Sequence, residues 1–298
     1  MWYNEVGDIM ELVHVKGNTY YIKNATNIGV YKIDENSVYL IDTGNDSDAG
    51  KKILKLLEQE SLKVVGIINT HSNADHVGGN KVIQDRTGCK ILGYGIERSI
   101  TENPLLEPSF LYGGYPFKEL RNKFLCAKPS TVMDIDNNLP VGLEYFFVRG
   151  HFFDMIGVKT SDDVYFLGDS LFSEETIIKY HLFFLYGVKD FLNTLDYLST
   201  LKGELFIPSH VEATRDITSL IEMNKKKIGE VLEVIMDSCM KNTFEEILKN
   251  VFDYYHLMMN ANQYVLIGST VKSYLSYLYE EGKIKYEFVE NKMLWEKI

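Results

Sequence analysis

Cysteine is scarce in this chain of 298 residues, with three in all, and proline is nearly confined to one stretch. Cys89, Cys126 and Cys239 stand far apart, with neither disulfide nor metal-ligand spacing. An odd, scattered set excludes a disulfide-stapled scaffold and a cysteine-bound structural metal, and it fits a reducing compartment, the cytoplasm. The thiols then read as small buried hydrophobes. No run of about 18 apolar residues is present, which excludes a hydrophobic membrane-spanning helix. The first residues, MWYNEVGDIMELVHVKGNTYYI, lack a basic start followed by an apolar block. No secretory leader is therefore expected, and their alternation predicts a strand. Positive charge is short as well: 31 Lys and Arg against 42 Asp and Glu leave a net charge of -11. That balance repels polyphosphate and weighs against nucleic acid as a partner.

What is present is an ordinary globular composition, long enough for one large domain or one with a small appendage. From residue 6 to about residue 210, strands are expected to alternate with helices. SVYLIDTG (residues 37–44) reads as a buried strand ending in an Asp and a glycine turn. DAGKKILKLLEQE (residues 48–60) has helical spacing behind a capping Asp, and KVVGIINTH is a strand that delivers His71 at its end. GGNKVIQDRTG predicts a short helix closed by Gly88, and KILGYG a further strand. Between residues 101 and 140 the rhythm breaks: five of the six prolines and a YGGYP turn fall there, predicting long surface loops rather than core elements. LEYFFVRGH, DVYFLGDSLF and GELFIPSHV then read as strands, each ending at or beside a His or Asp, with a helix in GVKDFLNTLDYLSTLKG.

After about residue 220 helices take over. TFEEILKNVFDYYH opens with a capping box of Thr243 and Glu246, a second helix ends at Gly282, and the tail predicts a hairpin turning near Asn291. The expected division is a domain over residues 1–218 that carries the chemistry and a helical, winged-helix-like domain over residues 219–298. Lys272 is the only cation between Tyr254 and Glu281, so this appendage suits packing or homodimerisation better than reading DNA. The KKK at residues 225–227 reads as a solvated helix face.

The polar residues that end the strands are His71, Asp75, His76, His151, Asp169 and His210, which include four of the seven histidines. In open α/β architectures such residues converge on one cleft. Imidazole and carboxylate together suit zinc, iron or manganese. In NTHSNADHVGG (residues 69–79), alternate positions of an extended loop address one point, so His71, residue 73 and Asp75 can share it. Asp75 and His76 diverge unless the backbone turns sharply, which Gly78 and Gly79 permit. Residue 73 is an asparagine where the pattern leads toward a third histidine. Its neutral amide oxygen is a poorer donor to zinc or iron than imidazole, and Asn also favours hydrogen bonds within its own loop.

The order of these motifs resembles the metallo-β-lactamase superfamily, whose pattern is T-H-x-H-x-D-H-x-G-G, then G-H, then G-D, then a final His. Here THSNADHVGG, RGHFFDMIGV, FLGDSLF and IPSHVE follow an early LIDTG, across roughly residues 20–215. The resemblance implies an α/β fold, a four-layer αββα sandwich with metals at one edge. It implies a first metal position of His71, residue 73 and His151, and a second of Asp75, His76 and His210, with Asp169 bridging both. Zn2+ is the implied cofactor, as one or two ions, with Fe or Mn as alternatives. Asn73 weakens the first position, and the second keeps every ligand. One branch of the family carries an Asn elsewhere in this motif and works with a single zinc, so the change does not imply a dead enzyme. Family logic makes a metal-bound hydroxide the nucleophile, oriented by Asp75, with Asp42 of LIDTG supporting a ligand or the loop from behind.

The expected function is a metal-dependent hydrolase of a small-molecule ester, thioester (as in the glyoxalase II branch) or lactone. A nuclease or phosphodiesterase of the same fold, and a non-catalytic binding protein that retains metal, are the alternatives. A flavodiiron-type redox role would place a carboxylate at position 73, where this chain has an amide. The loops FLYGGYPF (residues 110–117) and KYHLFFLYG (residues 179–187) offer Tyr112, Tyr115, Tyr180 and His181 as substrate contacts. His14 and His256 lie outside every motif and read as structural.

Overall fold

The computed structural model describes residues 10–298, so the strand character expected of residues 1–9 lies outside them. Two compact units divide the chain. The first takes the described residues up to Val148 with Phe153–Leu171 and Leu201–Ile217; the second takes Arg149–Phe152, Phe172–Thr200 and Thr218–Ile298.

In the first unit a seven-stranded sheet runs β1 (Glu11–Lys16), β2 (Thr19–Lys23), β3 (Ile28–Lys32), β4 (Ser37–Ile41), β5 (Lys63–Ile68), β6 (Lys90–Gly93) and β7 (Met133–Asp134) in spatial as in chain order. β1 to β4 form an antiparallel meander, so the alternation with helices begins only after β4. From there the strands are parallel. The crossovers carry α1 (Ser47–Gln59), the short turn α2 (Ala74–Val77), α3 (Asn80–Thr87), α4 (Gly95–Glu102) and α5 (Leu106–Tyr112). Asp46, two residues ahead of Asp48, caps α1 by accepting from the Asp48 and Ala49 amides. Gly88 closes α3 at a φ of 68°, as the sequence led one to expect.

A second sheet has the order β11 (Leu205–Ile207), β10 (Val164–Phe166), β9 (Ile156–Thr160), β8 (Leu143–Phe147). Successive residues of a strand face opposite sides, and the core divides accordingly. Ile41, Ile68 and Leu92 of the first sheet pack with Leu143, Ile156, Val158, Phe166 and Ile207 of the second. Their neighbours Leu40, Ile67 and Ile91 face the other way, onto Ile53 and Leu57 of α1 and Ile83 of α3. Each such fully buried aliphatic side chain stabilises the fold by roughly 1.5–3 kcal/mol. Three layers of the expected sandwich thus lie within this unit.

The interval of residues 101–140 is more ordered than its prolines suggest. It holds the end of α4, all of α5, a 3-10 turn at Lys118–Leu120 and β7, and it buries Glu107, Leu111, Leu120 and Ile135. Pro108 falls in the first turn of α5, where a backbone N–H has no helical acceptor to lose.

The second unit contains α6 (Glu174–Tyr180), α7 (Val188–Leu198), α8 (Thr218–Asp237), α9 (Phe244–Tyr254), α10 (Ala261–Glu280) and a small sheet, β12 (Met240–Asn242), β14 (Lys292–Lys297), β13 (Ile284–Val289). It takes in residues 149–152 and 172–200, which the sequence reading placed in the first domain. Side-chain brackets explain why: Asn224 of α8 accepts from the Phe172 amide at 3.1 Å and donates to its carbonyl at 2.8 Å. The Thr243–Glu246 capping box is present, and the hairpin turns through Glu290 and Asn291 at φ of 48° and 61°. Lys227 departs from the solvated face expected of it: it is buried, ion-paired with Glu230 at 2.8 Å and seated over the Tyr255 ring. No helix among the described residues is long and apolar enough to cross a membrane.

Candidate metal centre

β5, β10 and β11 end at Ile68, Phe166 and Ile207, and each releases a ligand-type residue at the third position beyond: His71, Asp169 and His210. His151 follows β8 on a tight turn at Gly150, whose φ is 116°. His71 belongs to the first unit and His151 to the second. Within the first unit, donor atoms of Asp75, His76, Asp169 and His210 lie within 4.8 Å of one another. Asp169 faces two of these imidazoles. Its Oδ1 stands 3.3 Å from His76 Nε2 and its Oδ2 3.4 Å from His210 Nε2, while Asp75 Oδ2 is 3.2 Å from the same His210 atom.

Asp75 and His76 sit together because α2 is a helical turn, not because of a glycine bend. Gly78 and Gly79 have ordinary right-handed torsions. Their role is close approach: a Cβ on Gly78 would meet the Asn45 carbonyl carbon at 2.2 Å, and one on Gly79 the Thr43 oxygen at 2.4 Å. The Thr43 amide also donates to the His76 carbonyl at 2.8 Å, which fixes the metal loop against the end of β4.

The four imidazoles share one design. His210 Nδ1 meets the Ala25 carbonyl at 2.8 Å and His151 Nδ1 the Phe184 carbonyl at 2.9 Å. A carbonyl can only accept, so Nδ1 carries the proton in both rings. His76 Nδ1 faces the Asp42 carboxylate at 2.8 Å. His71 Nδ1 is 2.9 Å from Thr70 Oγ1, whose own proton goes to Asp42 Oδ2 at 2.7 Å, so the hydroxyl accepts from the ring. In the neutral form each ring therefore presents a lone pair on Nε2, the tautomer a metal requires.

Asp42 organises half of this. Its carboxylate accepts from the Thr70 amide, the Thr70 hydroxyl and His76 Nδ1, and it does so from a buried residue at a φ of 63°. Without a cation the cluster is a nest of ion pairs. Burial alone would lower the His210 imidazole, but Asp169 and Asp75 outweigh it and raise it to about 10. Burial likewise opposes charge on His76, and Asp169, Asp75 and Asp42 hold it well above its ordinary value. Burial would push the Asp75 and Asp169 carboxyls up, yet the facing imidazoles keep both below the usual range. The residues fit a divalent cation: His76 Nε2 is buried with no hydrogen bond, and imidazole and carboxylate are the donors such ions take.

Two glutamates went unnoticed in the sequence. Glu97 of α4 accepts from the Ser72 amide at 3.0 Å, the Ser72 hydroxyl at 2.6 Å and the Asp154 amide at 2.9 Å, tying the His71 loop to the segment after β8. Glu107 of α5 accepts from Asn73 Nδ2 at 2.9 Å. Nothing near either residue marks it, since Glu is ordinary in a helix and the partners are far away in the chain.

Burial pushes the Glu97 acid up to about 7, against the pull of the Ser72 and Asp154 donors. A folded pKa above the unfolded one means a contribution that is complete below the unfolded pKa and lost as pH rises through the folded pKa. In metal-free protein, wild type should therefore lose on the order of 3 kcal/mol more unfolding free energy than Glu97→Gln between about pH 4 and pH 8. Denaturant titrations at several pH values measure this; parallel curves for the two proteins would contradict it.

The aromatic candidates are placed less tellingly. Tyr115 is exposed and its hydroxyl accepts from Arg121, while Tyr112 packs edge-on to Phe117. His181 stacks on Tyr255 with ring centroids 5.0 Å apart, beside Tyr180 at the end of α6 in the second unit.

Known proteins resemble this chain in sequence and in fold. Among curated proteins, the hydroxyacylglutathione hydrolase of Pelagibacter ubique is 39% identical over 49 residues, 16% of this chain and 20% of that one. The hydroxyacylglutathione hydrolase of Rhodospirillum rubrum is 32% identical over 85 residues, 24% of this chain and 33% of that one. The match thus spans a fifth to a third of these relatives' length. Among solved structures, a beta-lactamase domain protein from Burkholderia ambifaria superposes with a TM-score of 0.71 at 13% identity, over 99% of this chain and 97% of that one. A metallo-beta-lactamase family protein from Thermus thermophilus gives 0.71 at 18% identity, over 97% and 98%. The profile of the metallo-beta-lactamase superfamily matches residues 21–210, which hold every residue of the cluster, and the chain belongs to that superfamily.

Proposed function

We propose that this chain is a metal-dependent hydrolase of a small ester, thioester or lactone. The observation that carries the reading is where the cluster opens. The His71 and His76 rings are sealed, whereas Asp75 keeps 27% and His210 16% of the side chain exposed. A structural metal site is closed on all sides, and a catalytic one keeps a position for water or substrate. A divalent cation held by these residues would supply Lewis acidity and make a water at the site a stronger acid. The chain's own work is then to orient and to move a proton. Asp42 and the Ala25 and Phe184 carbonyls hold the rings, and Asp75, at the open edge, receives the proton of the attacking water. The short matches to hydroxyacylglutathione hydrolases favour a thioester among carboxyl-derived substrates. The net charge of -11 disfavours a phosphodiester.

Protein loaded with Zn2+, and separately with Mn2+, should be assayed against thioesters, lactones and phosphodiesters. Turnover of a carboxyl-derived substrate is expected. Cleavage of phosphodiesters alone would replace the reading with a nuclease or phosphodiesterase. Tight binding of a metabolite with no turnover at all would replace it with a binding protein.

A further inference from the structure

β13 lies at the edge of the small sheet of the second unit: among the described residues β14 pairs with one side of it and no strand with the other. A strand edge carries unpaired N–H and C=O groups, and proteins blunt such edges with proline, bulges or charge. β13 has neither proline nor bulge, and its register with β14 is regular over all six residues. Residues 285–289 are exposed, Phe288 at 71%. The hairpin turn decides which backbone groups face outward. It has two residues, Glu290 and Asn291, both at positive φ, and the pair that flanks such a turn, Val289 and Lys292, exchanges hydrogen bonds. Bonding then alternates, through Glu287 with Leu294 and Lys285 with Glu296. The backbones of Ile284, Tyr286 and Phe288 are left pointing away from β14. The Lys297 amide, which donates to the Cys239 carbonyl at 2.9 Å on the other side of β14, has the phase this alternation requires.

We propose that β13 pairs with β13 of a second copy of this chain, antiparallel about a two-fold axis through Tyr286. Two conditions select that register. Outward-pointing residues must meet one another for backbone bonds to form, so Tyr286 meets its own counterpart and Phe288 meets Ile284 at either end. The residues between them must not repel. With the axis at Tyr286, Lys285 falls opposite Glu287 of the other copy, and the two-fold repeats the pair. Moving the axis one residue either way sets Lys285 against Lys285 or Glu287 against Glu287, and like charges directly opposite destabilise a strand pair. The charges of this edge are therefore complementary to themselves in reverse. Each already has a partner in its own chain, Lys285 with Glu296 at 3.0 Å and Glu287 with Lys241 at 3.3 Å. Such solvent-accessible pairs are worth little, and a further opposite charge can share them. The same axis keeps both copies' Tyr279, Tyr286 and Trp295 ring clusters on one face of the joined sheet. The net charge of -11 opposes self-association in general, so the attraction is local to this edge. One strand pair is a small contact, and the dimer it makes is a weak one.

Sedimentation equilibrium of the full chain at about 0.15 M salt reads the association, and turnover plays no part in it. Wild type should be a dimer that dissociates on dilution through the micromolar range. Lys285→Glu and Glu287→Lys should each weaken the dimer by about 10-fold or more, because each sets two like-charge pairs across the axis. Mixed in equal amounts, the two variants should form a heterodimer, since one then carries two carboxylates at these positions and the other two ammonium groups. Joined in one chain, the two substitutions restore both opposite-charge pairs and should recover most of the affinity. Recovery in the mixture also excludes misfolding as the cause of the loss in the single variants. The proposal is overturned by any of four outcomes: wild type that stays monomeric at millimolar concentration, a single variant within about two-fold of wild type, a mixture that stays monomeric, or a double variant no tighter than the singles.

Discussion

Asp42→Asn is expected to weaken metal binding by about 10- to 100-fold and to cost the metal-free fold about 3–5 kcal/mol. The carboxylate serves three donors at once, the Thr70 amide and hydroxyl and His76 Nδ1, all at 2.7–2.8 Å. An asparagine has one accepting oxygen, so its NH2 must face one of these donors. Two effects follow. The His76 ring loses the charge that holds its proton on Nδ1, so Nε2 no longer reliably presents a lone pair. With its NH2 at the Oδ1 position the asparagine faces the Thr70 amide; with its NH2 at the Oδ2 position the Thr70 hydroxyl loses the acceptor that obliges it to accept from His71, and the fault reaches the second imidazole. Backbone strain does not enter, because Asn tolerates the left-handed φ of 63° seen at this position. Competitive chelator titration and denaturant unfolding measure the two effects. Affinity within about two-fold of wild type would show that Asp42 is only a turn residue.

Asp75→Ala should lower turnover of the substrate found in the panel by about 100- to 10,000-fold with metal saturating. Its partial exposure, 27% of the side chain, means that truncation leaves no buried cavity, so the fold should survive. Its carboxylate is also an ion partner of His210 at 3.2 Å, and some weakening of metal binding accompanies the loss. Measuring turnover across a range of metal concentrations separates the two: lost affinity is recovered by added metal, and a lost proton acceptor is not. Wild-type turnover in this variant would refute the assignment of Asp75.

The candidate ligands that the sequence marks most plainly share a property. His71, Asp75 and His76 lie within six residues, and His71, Asp169 and His210 each follow a strongly apolar strand at the same distance. Short range and a repeated strand-to-turn pattern carry that information. Gly78 and Gly79 were visible as glycines, but their reason, contact with residues 43–45, depends on a loop pairing that no local pattern encodes. Glu97 and Glu107 were invisible because their partners stand 25 and 34 positions away. Helix α5 was hidden by prolines that its first turn tolerates. The compact units divide the chain differently from a cut near residue 218 for the same reason: Asn224 clasps Phe172 across 52 positions, and nothing at either residue announces it.

By position in the motif, the second group of ligands is intact and the first is altered at Asn73. The direct measurement is the metal content of protein purified without chelator, followed ion by ion as chelator is added. The expected result is one ion per chain that resists the chelator and a second position that empties early. Two ions released together at high chelator would contradict the weakened first position, and protein that holds no ion at all would contradict the metal centre itself.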